Sequence, residues 1–175
     1  MDTVDAIISR RSVRLFLDRN VEYEKIETVL KAAMYAPSAV NEQPWHFLVI
    51  NDRKLFPAIM KFHPYASMLK TAPLAILVCG DLEKEVAAGN WVLDCSCASQ
   101  NILLAAHSIG LGAVWAGVYP EEERMNSFSS LFRLPENVIP FALIVIGYSA
   151  TVFSKQPARF KAERISLNSW GTLYE

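Results

Sequence analysis

The chain has 175 residues, 52% hydrophobic and 20% charged, with 17 Lys and Arg against 18 Asp and Glu for a net charge of −1. So apolar and nearly neutral a chain is not disordered, and 7 Gly and 9 Pro scattered without period exclude a collagen-like or low-complexity one. Balanced charge gives no bulk attraction to nucleic acid, and the apolar runs are strand-length, far short of the roughly 20 residues that span a bilayer; neither nucleic acid nor a membrane is an expected partner.

The length predicts one domain over residues 1–175, with ample apolar surface for a core. The opening residues carry Asp2 and Asp5 where a secretory leader needs positive charge, and the cysteines are three, Cys79, Cys95 and Cys97. Both features predict a cytoplasmic protein with reduced thiols.

In chain order, Thr3 can cap a short helix with Val4, Ile7 and Ile8 on one face. Ile26, Val29, Leu30 and Ala33 repeat at helical spacing behind Glu22, Glu24 and Glu27, and Pro37 ends that helix. Residues 45–50 read as a buried strand, 52–61 as a modest helix and 74–79 as a second strand. From 90 to 109 runs the longest helical stretch, apolar nearly all round and therefore central, stopped by Gly110. A third strand is expected over 113–118 and a fourth over 141–146. Between them Pro120 is placed in the first turn of a helix beside Glu121, Glu122 and Glu123. Helices interleaved with strands predict a mixed α/β-type core with helices covering a sheet. Residues 149–175 differ: four basic residues, Lys155, Arg159, Lys161 and Arg164, face only Glu163 and Glu175, and 164–167 alternates like a strand. A long, weakly structured tail is costly to order on one compact chain, so it is expected to wrap a partner subunit and add a strand to its sheet.

Three clusters carry the chemistry. Arg10, Arg11, Ser12 and Arg14 set three guanidinium forks within five residues, suited to phosphate or carboxylate oxygens; the alternative is a solvated basic turn. Residues 37–45 join a helix to a strand and are rich in amides and hydroxyls that can read a heteroaromatic edge; alone, they read as an ordinary loop with Trp45 in the core. Gly110, Gly112 and Gly117 follow a helix and open a strand, the reverse of a dinucleotide-binding fingerprint, so Rossmann binding is rejected. Gly117 can still let a flat ligand approach bare backbone.

Arg-Arg-Ser-x-Arg at 10–14 followed by Pro-Ser-Ala-x-Asn-x-Gln-Pro-Trp at 37–45, with the 101–117 segment and the basic tail in the same order and spacing, closely resembles the nitroreductase family of FMN-dependent oxidoreductases. The resemblance spans essentially the whole chain. It implies an α+β fold, a central mostly antiparallel sheet flanked by helices, and a homodimer that exchanges its C-terminal arms and binds two FMN at the subunit interface. It implies that Arg10 and Ser12, with Arg11 beside them, meet the phosphate and ribityl end, and that Arg14 lies near the flavin N1 and O2 edge. Pro37, Ser38, Ala39 and Asn41 reach the same flavin from the other subunit, and the backbone of Ala116 and Gly117 faces N5. Arg159 matches the family's late phosphate-binding arginine, with Lys155 or Lys161 as helpers. Some relatives place a glutamate where Ala116 stands, so any role of that carboxylate is absent here, and no flavin contact is assigned to His63 or Tyr65.

The expected activity is hydride transfer from NADH or NADPH through flavin N5 to a nitroaromatic, quinone-like or other conjugated small molecule. No side-chain nucleophile and no metal take part, and Arg14 tunes the flavin. Two alternatives stay open: a specialised relative (dehalogenase, enone reductase or flavin-cleaving enzyme), or a protein that holds FMN without turnover. Cys95 and Cys97 do not share a helix face and read as packing residues rather than zinc ligands. His63 and His107 are expected to be structural, Phe128 and Phe132 core, and Asp94 to hydrogen-bond locally or across a dimer interface.

Overall fold

Four apolar segments pair edge to edge: β1 (Trp45–Ile50), β2 (Leu74–Asp81), β3 (Gly112–Gly117) and β4 (Val138–Gly147). In this computed structural model, which describes residues 1–153 and 158–174, they form one sheet in the order β1-β2-β4-β3, every pair antiparallel. The fold is therefore α+β, as the family resemblance implies. Interleaved helices and strands suggested a mixed α/β-type core, and the continuous apolar runs read as strands buried on both faces. Here the same burial is reached with antiparallel pairing, since helices lie on both sides of the sheet.

Pleating divides β2 and β4 between the two faces. Leu74, Ile76 and Val78, with Ala142, Ile144 and Ile146, pack under α2 (Tyr23–Met34) and α4 (Trp91–Ser108). Ala75, Leu77 and Cys79, with Leu143 and Val145, pack under α3 (Phe56–Phe62) and α5 (Glu122–Phe132). Val29 and Ala33 of α2 are buried and Ile26 and Leu30 pack partly against the same cluster, as their spacing predicts. α4 is central, with Cys95, Ala98, Ser99, Ile102 and Ala106 fully enclosed, and Gly110 ends it at φ 82°. Phe128 is enclosed, with Phe132 stacked at 6.2 Å.

Several expectations are corrected. Asp2, not Thr3, caps α1 (Thr3–Ser9), accepting from Val4 N at 2.9 Å. On α1 the buried residue is Ala6, while Val4, Ile7 and Ile8 face outward at 52–60% exposure. Residues 52–61 divide into a 3-10 turn at Arg53–Leu55 and α3, with Pro57 in the first turn of the latter. Pro120 stands outside α5, which Glu121 precedes as N-cap; the Tyr119–Pro120 bond is cis. On the single chain residues 164–167 form no strand of their own: the chain makes a 3-10 turn at Ala162–Arg164 and folds back through a lone bridge between Ser166 and Leu173. No helix of the described residues is long and apolar enough to cross a membrane.

Candidate functional site

The candidate residues gather at opposite ends of α4. At its C-terminal end, α1 delivers the arginine cluster. Arg11 Nη1 donates to the carbonyls of Ile8, Ser9 and Arg10 at 2.9, 3.0 and 2.8 Å, closing the open end of α1. The chain then runs extended along the sheet. Val13 N donates to Ala113 O at 3.0 Å, Ser12 pairs with Ala113 and Phe16 with Ser149. Val13 and Phe16 are buried while Ser12 and Arg14 alternate outward. Two glycines permit this approach. A Cβ on Gly112 would lie 2.7 Å from Val13 Cγ2, and one on Gly147 would lie 3.0 Å from Phe16 Cδ1.

Arg10 is the electrostatic centre of this end. Its Nε is buried and has no hydrogen-bond partner among the described residues. Burial first, then the charges of Arg159 and Arg11, hold its guanidinium below the ordinary range. Arg159 of the tail therefore stands within electrostatic reach of Arg10 although 149 residues separate them in sequence. His107 is pushed down by burial and by the same Arg10 and Arg11, and its Nε2 meets Ser9 Oγ at 2.7 Å. A cavity of about 280 Å³ opens beside the cluster, lined among others by Ser9, Arg11, Val13, His107, Gly112 and Phe153. Cations that hold Arg10 below its ordinary range, with a buried donor unused among the described residues, are what a multiply charged anion would satisfy. Lys161 pairs with Glu163 at 3.8 Å, and Lys155 lies outside the described residues.

The other end holds the 37–44 loop, in which Val40, Asn41 and Gln43 adopt left-handed φ of 43°, 58° and 49°. Such backbone persists in non-glycine residues only where neighbours hold it. Asp94 Oδ1 accepts from Ala39 N at 3.0 Å, Ser38 Oγ from Gln43 N at 3.1 Å and Asn41 Oδ1 from Gln43 Nε2 at 2.9 Å. Glu42 Oε2 accepts from Val86 N and Ala87 N at 2.6 and 2.8 Å. Pro37, Val40 and Asn41 remain exposed and Ser38 and Ala39 half-buried. Glu42 was not a candidate from sequence, and Asp94 bonds to a distant loop rather than locally.

On β3, Ala116 turns its methyl into the core, so only its backbone can meet a ligand. Gly117 sits at the strand end with nothing within 4 Å of where a Cβ would be. Its carbonyl accepts from Arg124 Nη1 at 3.1 Å, and that guanidinium lies 5.3 Å over the Tyr65 ring. His63, 1% exposed, has both ring nitrogens without a partner among the described residues, and burial followed by the Arg124 charge pushes its pKa down. Among the described residues no group of three or more His, Cys, Asp or Glu is placed to hold a metal ion.

The structure thus places Arg11 and Arg159 within electrostatic reach of Arg10, with Ser12 and Arg14 on the adjoining strand-like segment. It does not bring the 37–44 loop to them. Asp94 and His107 are thirteen residues apart on α4, about 20 Å at 1.5 Å per residue, and none of residues 37–44 lines the cavity beside the arginines.

Known proteins resemble this chain in sequence and fold. The model described as Nitroreductase family matches residues 7–63 and 62–148. A Methanothermobacter thermautotrophicus protein with the provisional name NADH dehydrogenase/NAD(P)H nitroreductase is 52% identical over 170 residues, 97% of this chain and 88% of that one. The crystal structure of a Clostridium acetobutylicum protein, provisionally an NADH oxidase, superposes with a TM-score of 0.91 at 44% identity, covering 95% of this chain and 100% of the other. A Desulfovibrio desulfuricans protein, provisionally a nitroreductase and crystallised in complex with FMN, has a TM-score of 0.75 at 31% identity, covering 90% and 92% of the two chains.

Proposed function

The chain belongs to the nitroreductase family, and from there we propose that it is an FMN-dependent oxidoreductase of the cytoplasm, passing electrons from NADH or NADPH to nitroaromatic, quinone-like or other conjugated small molecules. The observation that carries the reading is the buried Arg10 Nε, without a partner among the described residues and within electrostatic reach of Arg11 and Arg159. The residues fit the cofactor. A phosphate monoester brings two negative charges and several acceptor oxygens, which is what repelling guanidinium groups lack. Bound there, FMN would supply the two-electron exchange itself. This chain's part is to hold, orient and polarise. Arg10, Arg159 and Ser12 take the phosphate and ribityl end, with Arg11 beside them. Arg14 places a cation at the edge where negative charge develops. Gly117 leaves the backbone open to a flat ring.

Pro37, Ser38, Ala39 and Asn41 complete the site from a second copy. The separation of the two candidate ends along α4 supports this, since one chain cannot close both around one ligand. A two-fold homodimer supplies both halves twice. A relative crystallised with FMN supports the cofactor assignment.

The test is spectroscopic. The purified protein, loaded with FMN, should be yellow and should bleach when NADH or NADPH is added without oxygen, then recover on adding a nitroaromatic or quinone. A stable yellow colour means a flavin holder without turnover, and a protein that takes up no FMN refutes the proposal.

A further inference from the structure

Two carboxyl groups meet behind the 37–44 loop, one on the loop and one on α4. Glu42 uses Oε2 to accept from Val86 N and Ala87 N, tying the loop to the 82–90 segment. Asp94, 4% exposed, uses Oδ1 to accept from Ala39 N, tying the loop to α4. The remaining oxygens, Glu42 Oε1 and Asp94 Oδ2, are both buried and neither has a donor from any other described residue. Each carboxyl lies within reach of the other's charge, so the two orphaned buried oxygens behind the same loop can pair with one another. A hydrogen bond between carboxyl groups requires a proton, because carboxylates are acceptors only.

We propose that Glu42 and Asp94 share one proton, and that this shared proton is the latch that positions Ser38 and Asn41 for the flavin. The proposal rests on the reading that the 37–44 loop meets FMN. Glu42, with two backbone N–H donors, is the anion, and those bonds hold its carboxyl below its ordinary value. Asp94 is the acid: burial, first, and then the Glu42 and Glu85 charges raise it, against the opposing Ala39 N–H. Glu85 faces the pair from the 82–90 segment, where its Oε1 accepts from Trp91 N at 3.3 Å. Cys95, beside Asp94 on α4, has its thiol pushed up by burial and stays neutral. Lys84 of the same segment is engaged with Asp81 at 3.8 Å and His46 at 3.2 Å.

The sign follows from the direction of the shift. An acid whose folded pKa is raised binds its proton more tightly in the folded chain. Its contribution is full below Asp94's ordinary value of 3.8 and is lost as pH rises through the raised value. Above that point two buried anions repel. The left-handed backbone at Val40, Asn41 and Gln43 then lacks the contact that holds it.

Asp94→Asn separates the latch from simple packing. An amide in that position accepts from Ala39 N through one atom and donates to Glu42 Oε1 through the other, with nothing to titrate. In the wild-type apoprotein, infrared spectroscopy from about pH 4 to about pH 9 should show a protonated carboxyl band above the range where exposed carboxyls ionise. Asp94→Asn should abolish that band. In the loaded protein, wild-type FMN affinity should fall by about tenfold or more as the band disappears. Asp94→Asn should hold the low-pH affinity throughout, and Asp94→Ala should be weak at every pH. Identical pH profiles for wild type and Asp94→Asn, or no such band, overturn the latch. Failure of every variant to take up FMN overturns the flavin reading and the loop's role with it, while the band in the apoprotein still decides the shared proton.

Discussion

Replacing Arg10 with Met should strengthen the empty protein while weakening its hold on FMN, and the opposite signs are the diagnostic. In the structure Arg10 places a buried Nε, with no partner among the described residues, within electrostatic reach of two further guanidinium groups. A buried donor left unsatisfied costs about 1–3 kcal/mol, and like-charge crowding adds to it. Methionine keeps much of the aliphatic stem and removes both costs, so the apoprotein should gain about 1 kcal/mol, read as a higher denaturation midpoint. A hydrogen bond to a charged group contributes about 1.5–3 kcal/mol, so the FMN dissociation constant should rise about 10- to 150-fold in a fluorescence titration. Arg159→Met should act in the same directions. The double variant should gain less than the sum in the apoprotein, because either change removes the one repulsion. Salt should narrow the apoprotein difference by screening. A less stable apoprotein with unchanged FMN affinity would show that Arg10 is a packing residue and refute the anion seat.

Arg14→Ala should lower the bound flavin's two-electron potential by about 30 mV or more, since about 30 mV corresponds to 1.4 kcal/mol, with a smaller effect on FMN affinity; equal potentials in a spectroelectrochemical titration contradict the assignment. Gly112→Ala should cost about 1–3 kcal/mol of stability by driving a methyl to 2.7 Å from Val13 Cγ2, and Val13→Ala in the same chain should recover part of it in thermal melts. Glu22 is lowered to about 2, by the Tyr148 hydroxyl first and by Arg19 as well. Its contribution is therefore present above about 4.5 and lost as pH falls toward about 2; Glu22→Gln should flatten the melting temperature across that window and leave it unchanged in slope at neutral pH.

The strands were legible because each is an apolar run too short for a helix and flanked by turn formers. Their ends were not, because pairing decides them. β2 extends to Asp81 and β4 begins at Val138 because those residues face each other across the ladder, which neither segment reveals alone. Strand direction was hidden for a related reason: a sheet covered on both faces erases the alternation that distinguishes an antiparallel sheet with one wet side. Asp2 and Thr3 are both good caps one residue apart, and local composition does not choose between them. In the site, the arginine cluster and the loop stood out by residue type. The meeting of Arg10 with Arg159 came only through the family resemblance, as contacts across 149 residues leave no periodic trace. Asp94 was conspicuous as the one formal charge in its helix, but its partner Glu42 belongs to a loop whose left-handed turns carry no glycine to mark them.

The tail brings these strands of reasoning to one experiment. Phe160 and Trp170 stand 81% and 100% exposed on the single chain, and Val4, Ile7 and Ile8 of α1 are also uncovered. Large aromatic side chains bury about 150–250 Å² each when covered, and at about 25 cal/mol per Å² two of them would add several kcal/mol to an interface. The same segment carries Arg159, so on the proposed reading covering a partner and closing the anion seat would depend on one stretch of chain. A chain ending at Phe153 should therefore lose both together: dimer dissociation should become at least about 100-fold easier in analytical ultracentrifugation, and FMN affinity should fall beyond the effect of Arg159→Met alone. A shortened chain with unchanged dimer affinity would remove the wrapping arm from the account, and FMN affinity equal to that of Arg159→Met would confine the tail's role to one guanidinium.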